Sequence, residues 1–78
     1  MFNFFKKKEK NNPTYVIAFC ADNDLSTKFG EDKQIFENYE YAKYRIFSKV
    51  AGYGKAIQYH VGDSAKIDDA WLIIEKRD

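Results

Sequence analysis

Two side chains in this sequence could form a nucleophile and its base: Cys20, the single cysteine, and His60, the single histidine. A cysteine attacks as its thiolate, so it needs a histidine or another base within hydrogen-bond reach. Both residues fall inside stretches of strand character, so they meet only if the sheet brings their strands together. A lone cysteine in an apolar strand more often serves as a small hydrophobe. Among the aspartates of the connecting segments, Asp22, Asp24, Asp63, Asp68 and Asp69 could hold a cation. Asp22-Asn23-Asp24 has the opening of a calcium loop, but an EF-hand needs glycine at its sixth position and glutamate at its twelfth. Thr27 and Lys33 stand there instead, so these aspartates read as solvated turns. Nucleotide-binding glycine loops, Walker loops, paired-histidine zinc helices and nucleophile-elbow serines are all absent from the sequence. The expectation is a protein that is not an enzyme, with no catalytic residue, no metal site and no cofactor.

Aromatic residues carry a stronger signal. The stretch from Phe36 to Gly54, FENYEYAKYRIFSKVAGYG, contains Tyr39, Tyr41, Tyr44 and Tyr53. At about 100° per residue, Tyr39, Ala42, Ile46, Phe47 and Val50 share one arc of a helix, a stripe that must be buried. Lys43 interrupts that arc, and its stem can lie along the core edge with the ammonium in water. Tyr39 therefore reads as structural, while Tyr41, Tyr44 and Arg45 fall away from the buried arc. Tyrosine and arginine are enriched where proteins bind one another. Tyr41, Tyr44, Arg45 and Tyr53, which follows the helix end and can fold back on it, are the candidate partner-binding residues. The plain alternative is that a small domain shows some aromatic surface because it cannot cover it.

Charge divides the chain. Residues 1–13 carry four lysines against one glutamate, a net +3, and the rest carries nine basic against eleven acidic residues, a net −2. Lys6, Lys7, Lys8 and Lys10, together with the strand aromatics Tyr15, Phe19, Tyr59 and Trp71, support an alternative reading as a single-stranded nucleic-acid binder. Against it stand the acidic body, which repels phosphate, and the lack of an RNA-recognition consensus. Phe2, Phe4 and Phe5 beside those lysines could touch an anionic membrane surface, but three phenylalanines make a short anchor. The same segment could dock on a protein, and an uncovered strand edge could pair with a second copy to make a homodimer.

The elements that must position these residues follow from pattern and punctuation. Asn11-Asn12-Pro13 separates a flexible basic and aromatic tail, residues 1–13, from a single domain, residues 14–78. Thr14–Ala21 is a breaker-free strand, apolar on both faces. Asp22–Lys33 reads as a loop or wide hairpin connection, and Gln34–Glu37 as a weak second strand. Asn38 is placed to cap a helix that ends at Gly52 in a left-handed conformation. Lys55–Val61 alternates as a strand, with Ile57, Tyr59 and Val61 expected to face the helix. Gly62–Asp69 reads as a polar connection, and Ala70–Lys76 as a closing strand. The expected fold class is α+β: a small antiparallel sheet in β-β-α-β-β order with one amphipathic helix packed on one face.

Seventy-eight residues bury only about 60% of the surface of the unfolded chain. Seven phenylalanines, six tyrosines and one tryptophan compensate, since each aromatic buries roughly 150–250 Å². A single cysteine excludes an internal disulfide and fits a reducing, cytoplasmic setting. The N-terminus lacks the apolar core of a signal peptide, and no apolar run approaches the ~20 residues that span a bilayer.

Overall fold

The structure is a computed structural model that describes residues 13–53 and 59–77, with the backbone alone for Tyr53 and Tyr59. The tail residues Phe2, Phe4, Phe5, Lys6, Lys7, Lys8 and Lys10 lie outside the described residues. So does Ile57 of the fourth expected element.

Strand β1, Thr14–Cys20, forms as its β-branched and aromatic residues require. It pairs on one side with β2, Lys28–Glu31, and on the other with the C-terminal strand β5, Ala70–Arg77. Helix α1, Tyr39–Tyr53, carries the chain from the β2 edge of the sheet to the opposite edge. There β3, Tyr59–Val61, and β4, Ser64–Ile67, form a hairpin, and a second hairpin leads into β5. The strand order is β2-β1-β5-β4-β3, antiparallel throughout. The architecture is one helix laid on a small five-stranded sheet, an α+β fold.

Four local features differ from expectation. The second strand is Lys28–Glu31, inside the segment read as a loop; of Gln34–Glu37 only Phe36 joins the sheet. Phe36 exchanges two 2.8 Å hydrogen bonds with Tyr15. Between these contacts the Asp32 N–H donates to the Ile17 carbonyl, so residues 28–36 follow β1 with an irregular middle. The polar connection Gly62–Asp69 holds β4, flanked by two-residue turns at Gly62-Asp63 and Asp68-Asp69. Gly62 and Asp68 take the left-handed backbone conformation these turns need. Helix α1 runs through Gly52 to Tyr53, and Gly52 is not left-handed, so it is not the cap residue.

The fourth difference is which face of β3 meets the helix. The turn pairs Val61 with Ser64 and so sets His60 beside Ala65, which is fully buried on the helix side. His60 accordingly stacks at 5.5 Å on Phe47 of α1. Val61, one residue on, points to the other face and is 53% exposed. A shift of one residue in strand register exchanges the two faces completely.

Ile17, Phe36, Ala42, Ile46, Ala65 and Leu72 form the core between helix and sheet, with Tyr15, Phe19, Val50, Ile67 and Ile74 packed against them. Ala42 and Ile46 are fully buried, as the helical arc requires. Lys43 is half-buried with its ammonium 3.5 Å from Glu40, stem inward and charge outward.

Candidate functional site

Asn38 fixes the start of α1: its side-chain oxygen accepts the Tyr41 N–H at 2.9 Å, the hydrogen bond of an N-cap. One side of the helix is then held by Ala42 and Ile46, and the opposite side is presented to solvent. Tyr41 is 59% and Tyr44 60% exposed, and Arg45 is exposed beside them. Three- and four-residue spacings place these side chains next to one another. The side chain of Tyr53 lies outside the described residues, so it joins no described surface.

Tyr39 differs from both. Its ring meets Tyr15 edge-on at 5.7 Å, and its hydroxyl donates to Oδ2 of Asp63 in the β3–β4 turn. That hydrogen bond, with burial and the carboxylate's charge, pushes the phenol up to about 12. Although 38% exposed, Tyr39 is a structural tie between helix and hairpin.

Cys20 and His60 do not meet. Strand β1 is separated from β3 by β5 and β4, three spacings or about 14 Å at ~4.8 Å each. The residues also face opposite sides: Cys20 pairs with Trp71 on the face away from the helix, and His60 packs on Phe47. Burial raises the Cys20 thiol above its ordinary value, against the opposing pull of Lys28, which keeps it protonated.

Charged side chains lie over part of the face holding Cys20. Lys28 stands beside Cys20 on one flank of β1, and Glu75 beside Val16 on the other. Nζ of Lys28 is 2.6 Å from Oε1 of Glu75, so the ion pair passes over β1 near Ala18. The same ammonium lies 2.6 Å from Glu31, and Arg77 also contacts Glu31. Val16, Ala18 and Cys20 beneath are essentially inaccessible. Small side chains at 18 and 20 leave room for that crossing.

Of the aromatic positions considered for base stacking, Tyr15 and Phe19 belong to the helix-facing core. Trp71 lies on the opposite face with Cys20, and the Tyr59 side chain lies outside the described residues. The loop aspartates serve the turns. Oδ1 of Asp24 accepts the Ser26 N–H at 3.0 Å and caps a 3₁₀ turn, Leu25–Thr27, and this bond holds the Asp24 carboxyl below its ordinary value. The Thr27 hydroxyl accepts the Asp22 N–H and contacts the Asp24 carbonyl. Among the described residues no three His, Cys, Asp or Glu side chains converge on a metal position. None of the described helices is long and apolar enough to cross a membrane.

A groove of about 450 Å³, which sequence reading missed, opens where the end of α1 overhangs the sheet. Its floor is two cross-strand pairs, Phe19 with Leu72 and Ile67 with Ala70. Phe29 forms one wall, and Lys49 and Gly52 of α1 line another. Lys49 stands 3.2 Å from Oδ2 of Asp32, an ion pair whose carboxylate oxygen makes no well-formed hydrogen bond. Burial works to raise the Asp32 carboxyl, but Lys49 and the backbone N–H groups of Lys33 and Gln34 outweigh it and hold the group below its ordinary value.

These features define a small α+β protein whose surface offers an exposed aromatic helix face and an apolar groove. No protein-family model, curated protein or solved structure matches the chain.

Proposed function

We propose that this protein is a small, non-enzymatic protein-binding module that occupies or modulates a larger protein partner through the outer face of α1. The observation that supports this reading is the exposure of Tyr41 and Tyr44, 59% and 60%, on a helix whose inner face is locked by Ala42 and Ile46. Tyrosine brings large contact area at low conformational cost, because it has two rotatable side-chain bonds. Arg45 beside them adds a planar donor group suited to a partner's carboxylates. A rigid helix face loses little freedom on binding, so more of the contact energy remains as affinity.

Tyr41→Ala combined with Tyr44→Ala tests the reading. Proteins recovered by the wild-type chain from its native host should be lost with the double variant, while its circular dichroism and melting stay within a few degrees of wild type. Equal recovery of the same proteins would remove the helix face from the contact. Unfolding would show that the tyrosines hold the core together.

A further inference from the structure

Gly52 lies in the last turn of α1, one residue before its end. Its backbone conformation does not require glycine, and a Cβ built there would meet nothing within 4 Å. With no side chain at this position, the groove is open between the last turn of α1 and the floor formed by Phe19, Leu72, Ile67 and Ala70. A volume of about 450 Å³ falls within the roughly 300–1,000 Å³ of pockets that hold small organic ligands.

Among the described residues, Lys49 is the charged residue that lines this groove. It lies three residues before Gly52 and so on the same side of the helix. Its ammonium stands 3.2 Å from Oδ2 of Asp32, and an ammonium carries three donors, so Lys49 can serve a second anion. The protein contains such an arrangement already: Nζ of Lys28 sits 2.6 Å from both Glu31 and Glu75.

We propose that the groove binds a small amphiphilic carboxylate, an aryl- or alkyl-carboxylic acid. Its apolar body lies on Phe19, Phe29, Ile67 and Leu72, and its carboxylate shares the Lys49 ammonium with Asp32. This site is separate from the Tyr41–Tyr44 face and does not depend on it.

The test uses the full chain and three matched probes: 4-phenylbutyrate, 4-phenylbutanol and 4-phenylbutylamine. Methyl carbon–proton spectra follow Ile67 and Leu72 during titration. Saturable shifts at both residues are expected, with the acid binding about tenfold more tightly than the alcohol, in line with a charge-assisted hydrogen bond, and the amine weakest. Lys49→Gln should erase the preference of acid over alcohol while leaving alcohol binding in place. Gly52→Phe, whose ring would enter the groove, should abolish all three interactions. No saturable shift, or equal affinity for acid and alcohol in the wild-type chain, overturns the proposal. Wild-type affinity in a Gly52→Phe protein with native circular dichroism also overturns it. If that variant loses its native spectrum, the Lys49→Gln comparison decides alone.

Discussion

Single residues show how much a side chain's role depends on what it meets. Tyr39, Tyr41 and Tyr44 are the same residue type within six positions, yet only Tyr39 has its hydroxyl tied to a carboxylate. The phenol of Tyr39 is raised to about 12, so the folded state holds its proton more tightly than the unfolded chain does. The stabilisation is therefore complete below the ordinary phenol value near 10 and is lost as pH rises from there through about 12. A phenolate absorbance titration should show one of the six tyrosines ionising later than the exposed ones. Tyr39→Phe should remove that late step and flatten the loss of stability above pH 10. A titration unchanged by Tyr39→Phe would contradict the Tyr39–Asp63 bond. Cys20 shows the complementary case, a group with reactive potential that burial keeps as a thiol.

At the scale of elements, α1 was the most legible part of the sequence. Its outward tyrosines and its buried Ala42 and Ile46 follow from a 100° period, whereas Tyr39 and Phe47, placed in the same arc, stay 38% and 39% exposed at its margin. Asn38→Ala should cost about 1 kcal/mol, the usual value of such a cap, read as a lower urea midpoint with an unchanged slope. No change would mean that the 2.9 Å bond to the Tyr41 N–H contributes nothing in solution. Strand β1 and closing strand β5 were equally plain, because their β-branched runs have no breakers. Strands β2 and β4 were not. Lys28–Glu31 contains a glycine and two charged residues, and Ser64–Ile67 alternates only weakly. Neither favours a strand by itself; each exists because a neighbour, β1 or β5, offers a row of unpaired backbone groups. The signal that could have revealed β4 is the Gly62-Asp63 pair, a composition of two-residue hairpin turns, which the reading of Gly62–Asp69 as one connection passed over.

Across the whole molecule, order within the sheet governs both stability and surface. The chain ends by inserting β5 between β1 and β4, so two elements from opposite ends of the sequence form the longest pairing, Thr14 with Arg77 through Cys20 with Trp71. Such a sheet should be most resistant to opening at its centre. In native-state hydrogen exchange, amides of β1 and β5 should be the slowest, and those of edge strand β3 faster by at least tenfold. Equal protection of β3 would indicate that its edge is covered, as in pairing with a second copy.

Composition and periodicity by themselves determined the class of fold, the burial of Ala42 and Ile46 at the centre of the α1 stripe and the outward placement of Tyr41, Tyr44 and Arg45, because these are local consequences of side-chain spacing. Tertiary structure alone decided that Cys20 and His60 stand on opposite faces, that Lys28 and Glu75 close over β1, and that Gly52 leaves a groove above Phe19 and Leu72. Those outcomes depend on strand order and register, which are set by contacts between residues distant in the chain.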